Sequence, residues 1–348
     1  MTQPPGFVDP RFPQHVCKLQ KSLYGLKQAP NAWYTHLKTF LQGLDFTCCV
    51  HDTSLFTRHS AHGTVILLVY VDDIMITCST ATLIQDVTRA MHTTFKMKDL
   101  GPLHYFLGME VSRTGGGLFL HQSKYTRDVL QKAGLEKCTS QPTPMVVSSS
   151  TNGADTLFAN ITHFRSLIGA LQYLAITCPG IQFVVNEVAQ RMYQPSEHDY
   201  HCLKRILRVS HFLGPNLISW CTKKQPKVSR SSTKAEYRAL ALLAAKTIWV
   251  TYILRKLRAT HTIPALCCDN KSTICVAKNS VLHTRMKHVY TDCLFVRDEV
   301  QAGTMTVQYV PTEEQPTDIL TKPLPSRQHD YLSFKLPFAY ALLSLKGE

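Results

Sequence analysis

Two adjacent aspartates, Asp72 and Asp73, have a type and spacing that could support chemistry. They lie in the stretch VYVDDIMIT at 69–77, between runs rich in Val, Ile and Leu, where a strand-turn-strand is expected. A single turn aspartate is explained by side-chain bonds to nearby backbone groups. Neighbouring carboxylates, however, repel each other unless a cation lies between them. The pair therefore fits either a turn or a divalent-cation site of the kind used in phosphoryl transfer.

The segments around this pair alternate between predicted helices and strands. Apolar residues at helical spacing predict a helix from Trp33 to Leu44, and TATLIQDVTRAMHTTF predicts a second helix after the hairpin. LHYFLGMEVSRTGGGLFLHQ predicts a second hairpin with a glycine-rich turn at 115–117, and SKYTRDVLQKAGL predicts a third helix. Residues 137–160 are rich in Pro, Ser, Thr, Asn and Gly, which predicts a linker.

Beyond the linker the pattern indicates helices followed by an α/β unit. The predicted helices are HFRSLIGALQYLAITC, HDYHCLKRILRVSHFL, STKAEYRALALLAAKTIWVTYILRKL, KSTICVAKN and TDCLFVRDEVQAG, and the predicted strands are LISWCTKK, IPALCCDN and TMTVQYVP. The longest helix is expected to begin with a capping box from Thr233 to Glu236. Strands that alternate with helices in the last third of the chain are typical of an α/β fold.

The charge balance indicates a polyanionic partner. The 348 residues contain 38 Lys and Arg against 24 Asp and Glu, which gives a net charge of +14. The basic residues are spread over several segments, and each cluster taken singly fits a solvated helix face or loop. Their sum favours nucleic acid over a membrane surface.

The cysteine pattern and the apolar stretches indicate an intracellular protein, cytoplasmic or nuclear. The chain has twelve cysteines and no C-x-x-C pair, which favours reduced thiols over disulfides or zinc. His198, His201 and Cys202 have metal-like spacing but fit the start of a helix better. The first residues do not resemble a signal peptide, and the apolar stretch from Ala239 is interrupted by Lys246, so it is expected to be too short to span a bilayer.

Several stretches in order resemble the reverse transcriptase and RNase H region of copia-type long-terminal-repeat retrotransposon Pol polyproteins, the plant ones in particular. The matching stretches are QPPGF, VCKLQKSLYGLKQAPNAWY, VYVDDIMIT, MKDLGPLHYFLGMEV, SLIGALQYL, NLISWCTKKQPKVSRSSTKAEYRALA, CDNKSTICVAKN and KHVYTDCLFVRDEVQAGTMTVQYVPTEEQPTDILTKPLP. The resemblance implies an α+β and α/β protein with five segments. These are a partial reverse transcriptase with palm and start of the thumb at 1–136, the linker at 137–160, a helical connection at 161–213, an incomplete RNase H-like α/β domain at 214–325 and a tail at 326–348.

The resemblance assigns the aspartate pair to a polymerase site. In the family, the YVDD hairpin joins a third aspartate from an earlier strand to hold two Mg²⁺ ions. Tyr70 would lie beside the primer end, Gly25 and Gln28 would contact the template base and incoming nucleotide, and Gly108 would belong to the hairpin that grips the primer. The implied partners are an RNA template, a DNA primer and an RNA–DNA hybrid. No membrane is implied, and no small-molecule cofactor beyond Mg²⁺ and the dNTP substrate.

The resemblance also implies an RNase H site that holds Mg²⁺ through Glu236, Asp269 and Asp292. Glu236 is expected in the first turn of a helix, Asp269 at the carboxyl end of a buried strand and Asp292 on a later helix. Each residue also has a structural alternative. Glu236 could complete a capping box, Asp269 could cap a helix and Asp292 could be a surface acid.

Two departures from the family pattern predict impaired catalysis. No strand with the third polymerase aspartate precedes QPPGF, and Asp9, Asp45 and Asp52 are poorly placed to replace it. The step from LKRILRVS to HFLGPNLISW omits the family's first RNase H strand with its aspartate, which would leave a sheet edge exposed. Met1 also corresponds to an internal position of the polyprotein, which suggests a start codon recruited after truncation.

We therefore expect a decayed fragment that is catalytically impaired and still binds nucleic acid. The alternatives are an active Mg²⁺-dependent reverse transcriptase and RNase H within a longer polyprotein, a non-catalytic RNA- or DNA-binding protein, and a chain that does not fold stably.

Overall fold

The structure is a computed structural model with a mixed α/β fold, and it divides into two compact units. It describes residues 1–20, 23, 25–114, 117–136, 138–139, 141, 143–145, 156–209, 225, 228–229, 231–279 and 290–335. Unit 1 comprises Met1–Gly101 and Thr247–Thr262, and unit 2 comprises Pro102–Lys246 and Ile263–Glu348. The predicted strand LISWCTKK and most of the predicted glycine-rich turn lie outside the described residues. The predicted domain boundaries remain a prediction, because packing alone assigns neither unit to a family domain.

Unit 1 is built on an antiparallel sheet in the order β1-β2-β3-β4. Its elements are α1 (Ala29–Gly43), β1 (Thr47–Cys48), β2 (Leu55–Ser60), β3 (Gly63–Tyr70), β4 (Asp73–Cys78) and α2 (Ala81–Thr94). Alternate residues Val65, Leu67 and Val69 of β3 are buried, as expected for a strand with one face on a core. Leu37 and Leu41 of α1 pack against that face. The predicted helices and hairpin of this region are confirmed.

Unit 2 begins with a second antiparallel sheet and a helical core. The elements are β5 (Tyr105–Phe106), β6 (Met109–Thr114), β7 (Gly117–His121), α3 (Ser123–Lys132), α4 (Ile161–Leu174), α5 (Gln182–Ala189) and α6 (Glu197–Val209). Phe164, Leu167 and Leu171 of α4 are fully buried at helical spacing. The sequence did not predict α5. Its FVV run has weak helix propensity, and Val184 and Val188 become helical by packing into this core.

The rest of unit 2 contains the predicted α/β unit. Its elements are the first part of α7 (Ser232–Lys256), β8 (Ala265–Cys268), α8 (Lys271–Lys278), α9 (Tyr290–Gln301), β9 (Thr306–Tyr309) and α10 (Ser326–Lys335). β8 and β9 pair in parallel, with Leu266 opposite Val307. Parallel strands need a long crossover, which α8 and α9 occupy.

Helix α7 has nearly the predicted bounds but a different N-terminal cap. It begins at Ser232, and the Ser231 hydroxyl accepts the Lys234 N–H at 3.3 Å, so the predicted capping box of Thr233 and Glu236 is wrong. The helix also runs for 25 residues, so the prediction that this stretch is too short to span a bilayer is wrong. Among the described helices it is the one long and apolar enough to cross a membrane by length and composition. A single helix of this kind is weak support for a membrane span, since core helices pass the same test.

Candidate active sites

The hairpin formed by β3 and β4 places both aspartates at a tight turn. Tyr70 pairs with Asp73 across the strands, so the loop contains Val71 and Asp72 alone. Both carboxylates are exposed, and Tyr70 is 55% exposed beside them. The inner side of β3 is held in the core through Val69, which fixes the strand ends that carry the turn. We call residues 63–78 the aspartate hairpin.

The turn of the aspartate hairpin is strained at Val71. Its φ is +54°, in the left-handed region, whereas Asp72 is not among the residues with positive φ. Positive φ at the first of two loop residues is the pattern of a type II′ turn, which favours glycine there. A β-branched residue in this conformation is disfavoured by about 1–2 kcal/mol. Such strain persists only where surrounding contacts hold the turn.

Among the described residues, only Asp72 and Asp73 offer carboxylates for a cation at the aspartate hairpin. No third His, Cys, Asp or Glu completes a ligand group with Asp72 and Asp73 in the described part of the chain. The Asp52 carboxylate accepts bonds from the Ser54 N–H and hydroxyl, and that of Asp9 accepts the N–H of Arg11. These two acids are therefore engaged in local turns. That neither replaces the third aspartate remains a prediction.

The residues predicted to contact substrate lie in turns or next to a helix start. Gly25 has a φ of +90°, and Gln28 is the exposed residue that precedes α1. Gly108 forms a turn with Leu107, both at positive φ, between β5 and β6. A side chain at Gly108 would overlap the hydroxyl of Tyr173, which donates to the Leu107 carbonyl at 2.8 Å. The turn itself therefore requires Gly108, whatever contact it makes with a primer.

Glu236, Cys268 and Asp269 form a second group, which we call the carboxylate cluster. Glu236 is the fifth residue of α7 and so lies in its second turn, not in the first as predicted. Cys268 ends β8, and Asp269 follows it. Their ligand atoms lie within 4.8 Å of one another. The Asp269 carboxylate also accepts the Thr312 hydroxyl at 3.0 Å. Carboxylate oxygens at this separation fit a hard divalent cation, whereas the soft sulfur of Cys268 does not suit one.

The structure removes the capping alternatives for both acids of the cluster. Asn270, not Asp269, caps α8, because its side chain accepts the Thr273 N–H at 3.0 Å. Ser231 caps α7, so Glu236 has no capping role. Neither carboxylate caps a helix, so both are available to bind a ligand.

Electrostatics at the carboxylate cluster favour a cation. Partial burial raises the pKa of Glu236 above its ordinary value, and the charges of Asp269 and Asp318 raise it further, while Lys322 lowers it. Burial likewise raises the pKa of the Cys268 thiol, so the sulfur stays protonated at neutral pH. A bound divalent cation would relieve the repulsion between the carboxylates.

Asp318 is a charged neighbour of the cluster that the sequence analysis missed. It is 7% exposed in a 3₁₀ helix, Pro316–Leu320, and its carboxylate pairs with the Lys322 ammonium at 2.8 Å. The signal in the sequence was an acid next to the apolar pair Ile319 and Leu320, with a lysine four residues on. Its proximity to Glu236 depends on packing and could not be read from that pattern.

Asp292 is not part of the carboxylate cluster. It lies in the first turn of α9. Burial and Cys293 raise the pKa of Tyr237 and Arg297 lowers it, and the charge of Asp292 adds a smaller increase. Tyr237 is fully buried and donates to the Cys293 carbonyl at 3.5 Å. The structure thus brings together two of the three predicted acids, with Asp318 beside them.

Comparison with known proteins agrees with these features. Residues 1–147 match the family model described as reverse transcriptase (RNA-dependent DNA polymerase). The retrovirus-related Pol polyprotein from transposon RE2 of Arabidopsis thaliana is 37% identical over 93% of this chain and 25% of its own length. The corresponding polyprotein from transposon TNT 1-94 of Nicotiana tabacum is 30% identical over 95% of this chain and 29% of its own length. No solved structure matches the chain significantly.

A shorter relative is covered almost completely. An uncharacterized mitochondrial protein of Arabidopsis thaliana is 40% identical over 53% of this chain and 93% of its own length. The aspartate hairpin and the family match define a reverse transcriptase region. More specifically, the chain belongs to the plant copia-type retrotransposon Pol polyproteins, as the sequence predicted. It spans about a quarter of the length of the polyproteins it matches.

Proposed function

We propose that unit 1 contains the palm of a reverse transcriptase and that Asp72 and Asp73 bind Mg²⁺ there. The observation that carries this proposal is a tight, strained turn that presents two adjacent carboxylates at the end of β3, a strand with one face in the core. Mg²⁺ takes carboxylate oxygens as ligands and, when bound, stabilises charge during nucleotide transfer. Tyr70, exposed at the same turn, is available to the primer. Gly25 and Gln28 would then approach the template and the nucleotide.

We further propose that residues 1–348 bind an RNA template, a DNA primer or their hybrid, and that they extend the primer poorly. The net charge of +14 supports the binding. The impairment follows from geometry, because two carboxylates from the described residues leave the cation incompletely held, and nucleotide transfer depends on exact positioning. Free cysteines throughout the described residues fit a reducing compartment, cytoplasmic or nuclear.

Primer extension on an RNA template with Mg²⁺ tests both parts. The purified chain is compared with an Asp72→Asn, Asp73→Asn variant, and binding of the same duplex is measured at two salt concentrations. We expect salt-sensitive binding in both proteins and extension near background. Robust extension that the double substitution abolishes would refute the impairment while it supports the polymerase site. Absence of binding would refute the nucleic-acid assignment.

A second proposed activity, RNase H, rests on the carboxylate cluster. Glu236 and Asp269 converge at the end of a parallel strand, where α/β folds place ligands, and Asp318 adds a third carboxylate nearby. The alignment with the RE2 polyprotein is longer than this chain, so that relative contains residues with no counterpart here. This agrees with the proposed loss of the first RNase H strand. Cleavage of an RNA–DNA hybrid, compared with Glu236→Gln, is the test.

A further inference from the structure

One hydrogen bond connects the start of helix α1 to the turn of the aspartate hairpin. The indole N–H of Trp33 donates to the backbone carbonyl of Val71 at 2.8 Å. The two residues are separated by 38 positions in the sequence. This bond reaches the loop residue that has the strained positive φ.

The carbonyl that Trp33 holds belongs to the same planar peptide unit as the Asp72 N–H. Fixing the oxygen of Val71 therefore fixes the plane from which the Asp72 side chain departs. Asp73 follows directly and begins β4, opposite Tyr70. A single donor on one side of the loop thus constrains the positions of both aspartates.

The donor is itself held in place. Trp33 lies in the first part of α1, which Leu37 and Leu41 anchor in the core, both fully buried. The Trp33 ring contacts Phe95 edge to face, with ring centroids 5.2 Å apart. Phe95 follows the end of α2 and is buried. The indole therefore approaches the turn from a rigid base.

We propose that Trp33 is a positioning residue for the polymerase site: its N–H holds the Val71 turn in its strained form and so orients Asp72 and Asp73 for a divalent cation. This inference rests on the proposed function of the aspartate hairpin. A glycine would adopt the same φ without strain, whereas valine needs an external contact. Trp33 supplies that contact.

The chain offers a matched control for the loss of an indole N–H. Trp249 also belongs to unit 1, and its N–H donates at 3.0 Å to the carbonyl of His51, which is not a residue of the aspartate hairpin. Trp33→Phe and Trp249→Phe therefore remove the same group from equivalent bonds. Phenylalanine at position 33 keeps an aromatic edge for Phe95.

The experiment is a Mn²⁺ titration of the full chain followed by electron paramagnetic resonance. Binding at the aspartate hairpin is defined as the part that Asp72→Asn, Asp73→Asn removes, which separates it from the carboxylate cluster. We expect Trp33→Phe to weaken this binding about fivefold, the factor that corresponds to one hydrogen bond of about 1 kcal/mol. Trp249→Phe is expected to leave it unchanged. Equal affinity in the chain and in Trp33→Phe would overturn the inference and leave the cation site standing.

A second comparison separates positioning from general loss of structure. In a Val71→Gly background the turn is unstrained, so adding Trp33→Phe should change Mn²⁺ affinity by less than about twofold. A fivefold loss that persists in the glycine background would overturn the role assigned to turn strain. Trp33→Phe alone could fail to unfold cooperatively. In that case the double variant with Val71→Gly still distinguishes the two roles, because a purely structural role of Trp33 predicts that the double variant also fails to unfold cooperatively. Absence of any binding that depends on Asp72 and Asp73 would refute the proposed function together with this inference.

Discussion

Replacing Glu236 by glutamine is expected to stabilise the metal-free protein at neutral pH. The substitution preserves the size of the side chain and its capacity for hydrogen bonds, and it removes one of two facing negative charges. Glu236 and Asp269 have ligand atoms within 4.8 Å of each other. Two unit charges at that distance repel by about 0.9 kcal/mol in water. Because Glu236 is only partly buried and its side chain still contacts solvent, screening applies, and about 0.5–1 kcal/mol is the expected gain in the free energy of unfolding.

The gain depends on pH in a defined direction. Burial first, and then Asp269, raises the pKa of Glu236 in the folded state above the unfolded value. A raised pKa means that the folded state binds the proton more tightly, so this residue favours folding below the unfolded pKa and loses that contribution as pH rises through the folded pKa. Glu236→Gln should therefore match the parent protein near pH 4 and exceed it at pH 7 and above.

Urea denaturation between pH 4 and pH 8 in EDTA, followed by circular dichroism, measures the effect. Glu313→Gln is the matched control, an exposed glutamate of unit 2 outside the carboxylate cluster. Excess Mg²⁺ should reverse the order at pH 7, because a cation that binds the folded cluster stabilises the parent and not the variant. A variant that is less stable than the parent in EDTA at pH 7, or a difference that does not vary with pH, would refute the electrostatic account of the cluster.

Three further outcomes follow from single contacts. Tyr237→Phe should lower the free energy of unfolding by about 1 kcal/mol in urea denaturation, since it removes the buried hydroxyl that donates to the Cys293 carbonyl; an unchanged midpoint would contradict that bond. Lys322→Met removes the ammonium beside Asp318 and should tighten Mn²⁺ binding at the cluster by about two- to fivefold, as expected for a half-exposed charge, whereas weaker binding would show that the lysine assists the cation. Leu67→Ala, fully buried in β3, should destabilise unit 1 by about 2–5 kcal/mol, and a loss below 1 kcal/mol by denaturation would mean that this core is not well packed.

Much of the local structure could be predicted because its signals lie within a few residues. The alternating pattern of β3 and the tight turn at the aspartates were both visible, and the structure confirms them. Helix α5 was missed because its valines do not favour a helix until the surrounding core encloses them. The cap of α7 was placed two residues too late, at Thr233 instead of Ser231, since both are capping residue types and only the packed helix decides between them.

The sequence by itself determined the two aspartates of the hairpin, because strand periodicity and turn chemistry are local properties. It also determined the family, because the order of motifs can be read directly along the chain. Only the tertiary structure decided that Trp33 reaches the Val71 carbonyl, that Cys268 joins Glu236 and Asp269, and that Asp318 rather than Asp292 lies beside them. These contacts join residues far apart in the chain. Their formation depends on how helices and strands bury their apolar faces together, and no short stretch of sequence contains that information.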